Sequence, residues 1–553
     1  MNYSKWEISP EWVIVVIFSL CFLIIGPANI LDKRISHEHP YNILASDAAG
    51  ELAFVSALNE RGGYQYMAPH ICAGYDDCIG FHPYLFQHLA AVFSNVSGLE
   101  VHNVNIFFSS IFLLISSIIM FLFIRKWNAS IAYLSMPLMI FALMPQFRIG
   151  LFWGYYDAII ASVFAMVAIF MLDDEKEKKW ILLSIIISAA FIAHVSEAVY
   201  IVAVYAISYI IKWVKERKIS KKEVYFIIKT GLLSFTIVLY FGVIFKLLWY
   251  SGDTKGPLFG APPKAEWYDP VISNFSIEGL GMLSGLPLYF IIAGAAISLF
   301  AFRKHFQILF AWIMLLFGFN PIGFEAIRTF QIRYLWPLYL SVFFGVALFF
   351  IMSLIHARKK ELSLAVGAIL LIAISYANYE PSGSAGMIDN DHWSALNWLR
   401  QNTSEKSIIT VMYGDVYNQD AILWNSFRTS FRILENSFIK NLQDGKITKY
   451  FSGRVVGPSD VGYAYWKGFL QVGRHKFEEE GKLGGERNIC LSEHIMFDKV
   501  SRQEVLAQYN MVIAQKLTEK GQFEVAYQNG AVLIIKNKAF NKDCMEEGEL
   551  NVS

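Results

Sequence analysis

The feature that most constrains this chain is a succession of about eleven apolar segments spread over residues 12–378. They run at roughly 12–31, 101–124, 129–147, 153–172, 180–193, 196–214, 226–250, 283–302, 306–320, 334–355 and 361–378. A bilayer's hydrocarbon core is crossed by about 20 helical residues, so these segments are expected to be transmembrane helices. Of the 553 residues, 55% are hydrophobic and only 17% charged, which lies outside the range of soluble globular proteins. A net charge of +1 supplies no concentrated basic face, so nucleic acid is excluded as a partner.

Charge position then sets orientation. Arg125-Lys126, Glu175 to Lys179, Lys215 to Lys222, Arg303-Lys304 and Arg358 to Lys360 occupy every second connection, and by the positive-inside rule these connections are cytoplasmic. With Lys5 also inside, the N-terminus is expected in the cytoplasm, and the first loop and C-terminus outside a plasma membrane. The first apolar stretch, Trp12 to Leu31, lacks a small-x-small cleavage pattern and reads as a retained span.

Two regions depart from the apolar pattern. The first outer loop, 32–100, is far longer than a connector needs to be and carries Ser46-Asp47-Ala48-Ala49-Gly50-Glu51 and Phe81-His82-Pro83-Tyr84. From 379 to 553 the composition is that of an exported α/β domain. Ser407 to Tyr413 alternates as a strand, and Phe523 to Tyr527 and Ala531 to Ile535 form a hairpin through Gln528-Asn529-Gly530. Trp393 to Arg400 reads as an amphipathic helix capped by Asp391. The expected division is therefore a transmembrane domain, 1–378, that includes the first loop, and a soluble domain, 379–553. Outside the membrane, Cys72 with Cys78 and Cys490 with Cys544 are candidate disulfides.

Candidate chemistry lies at the outer interface. Asp47 sits in the first loop, and Asp157 begins the fourth span in Gly154-Tyr155-Tyr156-Asp157. Two carboxylates from neighbouring loops can hold a hard divalent cation, Mg or Mn, which prefers oxygen ligands. The competing reading is that each Asp stabilises a helix start. Arg328 and Arg333 lie outside at the start of the tenth span, where arginine suits bidentate recognition of a phosphate headgroup. His194 and Glu197 flank a tight turn between two spans, and with Glu51 they are secondary or acceptor-side candidates. Six of the twelve histidines fall at 37, 39, 70, 82, 88 and 102, without a spacing that suggests zinc.

The residues Ala45-Ser46-Asp47-Ala48, Phe81 to Phe86, Gly154-Tyr155-Tyr156-Asp157 and Arg333-Tyr334 followed by Pro337 resemble the GT-C superfamily of integral-membrane glycosyltransferases. Within it the layout looks most like the catalytic subunit of oligosaccharyltransferase and its prokaryotic relatives. Arg148 before the Gly154 motif, and the Trp393 to Thr403 stretch, are similar to theirs. The resemblance implies a GT-C-like polytopic α-helical membrane protein with a C-terminal extracytoplasmic α/β domain. It implies Asp47 and Asp157 as catalytic or metal carboxylates and Arg333 as the binder of the donor phosphate, with Arg328 and Arg148 as further candidates for that phosphate. Asp47 would act as base or as metal ligand.

Two departures narrow the function. Ile159 stands where that family carries a second acidic residue, and Val411-Met412-Tyr413-Gly414-Asp415 stands where its WWDYG signature should follow. The expected activity is transfer of a sugar from a polyprenyl-phosphate donor to a lipid-linked glycan or protein acceptor among membrane lipids. The alternatives are an oligosaccharyltransferase-like enzyme with altered acceptor recognition, and a non-catalytic lipid-glycan transporter or scaffold.

Overall fold

A computed structural model of the chain describes residues 10–61, 66–71, 74, 78–79, 85–172, 179–239, 285–319, 329–355, 360–380, 386–418, 420–456, 464–467, 469–472, 484–539 and 542–550. Cys72, Asp76, Asp77, Phe81 to Tyr84, Arg328 and the segment 251–281 lie outside the described residues. Two compact units emerge, one drawn from 1–35, 106–244 and 256–383, the other from 36–105, 245–255 and 384–553.

Helices fill the first unit, as uninterrupted apolar sequence in a bilayer requires, because each backbone polar group must be satisfied within its own segment. Among the described residues, Glu11–Leu31, Val101–Trp127, Ser196–Glu216, Gln331–Leu354 and Lys360–Ala377 are long and apolar enough to span. The segment expected as one helix over 129–147 is instead broken. Ala129–Leu143 and Pro145–Phe152 meet at 56° and count as one further span if taken together. The physical cause is Pro145: the residue before a proline is driven out of the helical region, and Met144 is extended at φ −77, ψ 156. Pro145 then opens the next helix at a position where its missing N–H costs nothing.

One end of this unit is marked by ion pairs. Glu11 meets both Arg125 and Lys360, and the Lys126 ammonium donates to the Phe170 carbonyl at 3.0 Å. The helix Tyr156–Leu172 therefore has its Leu172 end here. Its 17 residues carry Asp157 about 22 Å from Leu172, at 1.5 Å per residue, to the opposite end.

The second unit is built on a seven-stranded sheet. Its order is Phe523–Gln528, Val532–Asn537, His494–Asp498, Ile408–Val411, Thr429–Ile433, Tyr450–Val455, Gly484–Asn488. The strands His494–Asp498, Ile408–Val411 and Thr429–Ile433 run parallel, and the hairpin expected near the C-terminus forms the antiparallel edge. Helix Glu504–Glu519 buries Leu506, Tyr509, Ile513 and Leu517 in a core shared with Ile495, Phe497 and Ile535. A disulfide joins Cys490 and Cys544. The helix expected at 393–400 extends over Asn390–Asn402, and its cap is Asp389 rather than Asp391: the Asp389 carboxylate accepts the His392 N–H at 2.8 Å.

Residues 36–105 of the first loop group with this unit. Helix Ser46–Arg61 sits on the turn Asp420–Ser426, where the Asn425 amide donates to the Ala49 carbonyl at 3.2 Å. Gly50 permits the approach, since a Cβ there would come within 3.3 Å of the Trp424 ring. Strands Tyr66–Met67 and Cys78–Ile79 join Ala464–Lys467 and Phe469–Val472 in a small sheet.

Candidate active site

At the Asp157 end of the helical unit the chain turns sharply between Phe152 and Tyr156. Gly154 makes the turn possible with φ +92, a value that favours glycine, and the Tyr155 N–H closes it on the Gly150 carbonyl at 3.0 Å. Asp157 falls in the first turn of the next helix and is buried, where the helix dipole favours a carboxylate. Arg148, one turn before Phe152, is also buried, with its guanidinium 5.8 Å from the Phe152 ring.

The segment Thr329–Leu335 is brought against this turn. Gly150 again marks a close approach: a Cβ there would lie 3.1 Å from both Tyr155 and Tyr334. The rings of Tyr155 and Tyr334 stand 5.2 Å apart, and Trp153 lies 6.2 Å from Tyr334. Thr329–Leu335 is a 3-10 helix, in which residues three apart share a face. Gln331 and Tyr334 thus face one way, while Arg333 turns away and donates from Nε to the Gly318 carbonyl at 2.5 Å.

Between these elements lies a cavity enclosing about 370 Å³ of space, including its open mouth, lined among others by Phe147, Gly150, Tyr155, Ile159, Gln331 and Tyr334. Its walls are apolar and aromatic. The polar exception among the described residues is Gln331, buried, with an Oε1 that meets no hydrogen-bond partner among them. Arg148, Asp157 and Arg333 flank this cavity without lining it. Sequence reasoning singled out those three charged residues and passed over Tyr155, Tyr334 and Gln331, although two of the latter stand inside the motifs it quoted. The missed signal was periodicity, because side chains three apart on a 3-10 turn and beside a glycine turn share one surface.

His194 and Glu197 occupy the same end. The helices Trp180–Ala193 and Val195–Glu216 both pack on Tyr156–Leu172, and the first runs antiparallel to it, so their junction returns to the Asp157 end. There the His194 Nδ1 is hydrogen-bonded to the Glu197 carboxylate.

In the sheet unit, Asp47 is exposed in the first turn of Ser46–Arg61. Glu51, one turn later, is buried and accepts from the Gln87 amide. Asp47 and Asp157 belong to different units, and among the described residues no group of three or more His, Cys, Asp or Glu side chains assembles a metal site. The carboxylates within either unit therefore do not by themselves fit a hard divalent cation, which needs six or more oxygen ligands.

Sequence reasoning also missed a buried polar cluster at the carboxyl ends of the parallel strands. His392 Nδ1 is 2.8 Å from Asp389 Oδ1, and Nε2 is 3.4 Å from Asp498 Oδ2. Burial opposes the imidazolium, but the hydrogen bond to Asp389 and the nearby Asp498 carboxylate outweigh it and raise His392 to about 9. Gly414 leaves room for Asp498, since a Cβ there would lie 2.2 Å from Oδ2. In the neighbouring Val411 to Asp415 stretch, Tyr413 donates to Asp415 at 2.7 Å, and Asp415 also accepts from Ser501 and the Arg502 N–H. That carboxylate is occupied in joining two loops.

No family model and no curated protein matches the sequence. Solved structures do. ArnT from Cupriavidus metallidurans bound to undecaprenyl phosphate superposes with a TM-score of 0.56 at 11% identity, covering 96% of this chain and 98% of that one. The Archaeoglobus fulgidus oligosaccharyltransferase in its apo form gives 0.54 at 13%, covering 77% of this chain and 65% of that one. The arabinofuranosyltransferase AftD from Mycobacteria gives 0.51 at 11%, covering 97% of this chain and 40% of that one. This chain thus spans just under two thirds of the archaeal enzyme. At such identities the likeness is one of fold: the chain shares the fold of these three proteins, with apolar spans and a C-terminal sheet domain.

Proposed function

We propose that this GT-C-fold chain is a membrane glycosyltransferase that moves a sugar from a polyprenyl-phosphate carrier to a lipid-linked glycan or protein acceptor on the outer face of the plasma membrane. The observation that supports the reading is that Arg148, Asp157 and Arg333 are buried on the segments, 145–157 and 329–335, whose Tyr155 and Tyr334 wall one cavity. Buried arginines are costly in a bilayer and are retained where an anion is to be met. A phosphate at the end of a long hydrocarbon chain is such an anion.

In this reading the sugar stacks on the tyrosine rings, and Gln331 Oε1 accepts a hydrogen bond from one of its hydroxyls. Arg333, with Arg148 and Arg328, holds the phosphate as the bond to the anomeric carbon breaks. Fixed positive charge at a developing anion is the largest single catalytic contribution in many enzymes. Asp157, in the first turn of its helix, orients the reacting groups. No step is routed through a metal ion.

The test uses the full chain in proteoliposomes with a panel of radiolabelled undecaprenyl-phosphate hexoses. Total membrane lipid and a sequon peptide serve as separate acceptors. Label passing to the lipid fraction supports the reading, and label passing to the peptide assigns the oligosaccharyltransferase-like alternative. Intact donor in both, with no binding of undecaprenyl phosphate, contradicts it.

A further inference from the structure

The junction at His194 has a construction that helix capping does not explain. A single extended residue, His194 at φ −158, ψ 123, separates two helices. Glu197 is the third residue of the second helix, the position from which a capping carboxylate reaches back to the N–H of the residue before the helix. That N–H is already bonded to the Ala190 carbonyl at 2.8 Å, and the His194 side chain makes no capping bond. Glu197 instead bonds the imidazole Nδ1.

A carboxylate at one ring nitrogen fixes the proton there and leaves the lone pair on the other. Glu197 is 1% exposed, whereas the His194 side chain keeps 20%. The buried acid therefore holds an accessible base. Among the described residues, Tyr200 and Tyr339 also feel the charge of Glu197. Tyr200 also connects the junction to the arginine: its ring lies 5.5 Å from that of Phe317, and the next residue, Gly318, takes the Arg333 hydrogen bond.

Resting on the transfer reading above, we propose that His194, positioned by Glu197, is the group that accepts the proton of the attacking acceptor hydroxyl. The acceptor oxygen bonds to the anomeric carbon as the bond from that carbon to the phosphate oxygen breaks. The polyprenyl phosphate leaves with the electron pair, and the hydroxyl proton passes to His194 Nε2, which later releases it to water. His194 is the catalytic residue of this step and Glu197 its positioning residue.

The test compares wild type, His194→Gln and Glu197→Gln as full chains in proteoliposomes, with the undecaprenyl-phosphate hexose panel and membrane lipid as acceptor. A well-placed general base contributes about 10²–10⁴-fold. His194→Gln is expected to lose transfer on that scale while binding undecaprenyl phosphate as wild type does, and to lose the rising limb of the pH–rate profile. Glu197→Gln is expected to displace that limb and slow transfer less. In ¹⁵N-histidine-labelled wild type, the His194 ring should carry its proton on Nδ1. Transfer by His194→Gln within twofold of wild type, or a ring proton resident on Nε2, overturns the proposal. Failure of the wild type to bind undecaprenyl phosphate overturns the transfer reading itself, and with it the dyad's place in transfer.

Discussion

Two buried polar clusters, one in each unit, make opposite use of the same side-chain types. In the sheet unit, His392 is bonded on one side by Asp389 and approached on the other by Asp498, so its charge is answered within the fold. In the helical unit, Arg148, Asp157 and Arg333 are buried on the segments that wall a cavity, where Gln331 keeps an open acceptor among the described residues. Buried ionic groups are expensive and often add no net stability. Where they answer one another they fix a conformation, and where they stand beside a cavity they can in addition meet a ligand. The first cluster should therefore govern stability and the second chemistry.

The sharpest way to break this comparison is Arg333→Gln. It is expected to reduce transfer by about 10²–10³-fold, the usual cost of removing one donor at a developing anion, with the helical content by circular dichroism unchanged. A large loss of fold with residual activity in proportion would make Arg333 a structural residue like His392.

The next effect lies in the sheet unit. His392 is raised from its unfolded value of 6.5 to about 9, so its contribution is fully present below about pH 6.5 and is lost as pH rises through 9. A displacement of this size corresponds to roughly 3 kcal/mol. Hydrogen exchange across 390–402 and 494–498 in the full chain should accelerate between pH 7 and 10 beyond the intrinsic rate. In His392→Gln that extra acceleration should be absent.

Gly150→Leu comes third. A side chain there meets Tyr155 and Tyr334, and overpacking costs about 1–3 kcal/mol. Binding of undecaprenyl phosphate should weaken with little change in the sheet unit, measured by the same exchange. The smallest effect is expected from Glu11→Gln at the far end of the helical unit. Its partners Arg125 and Lys360 are 44% and 51% exposed, and such pairs contribute about 0–1 kcal/mol. Transfer should be unaffected.

Much of this architecture was legible in the sequence, for reasons that are local. Apolar runs in a bilayer can only be helices, so Val101–Trp127 and Lys360–Ala377 follow from hydropathy. The alternation around Gln528-Asn529-Gly530 specifies its hairpin. What hydropathy does not register is the backbone: the 56° bend at Pro145 leaves the apolar count of 129–147 untouched. Nor does local pattern reveal pairing across long separations, such as Cys78 beside Tyr465 in the small sheet, which brings the first loop into the sheet unit. At the site, charge drew attention to Arg148, Asp157 and Arg333. The tyrosines between them carry no charge to mark them, and aromatic residues are common in membrane helices, where only packing separates a wall from a ligand surface. His392 was hidden for a related reason, since its two carboxylates come from residues 389 and 498.

On the proposed function, the polyprenyl phosphate binds at the Asp157 end of the helical unit. Photolabelling of the full chain in proteoliposomes with a diazirine-bearing undecaprenyl phosphate tests it most directly. Adducts are expected on residues 147–159 and 329–335, and fewer in Arg333→Gln. Adducts confined to 386–550, or spread evenly over the apolar helices and unchanged in Arg333→Gln, would contradict it.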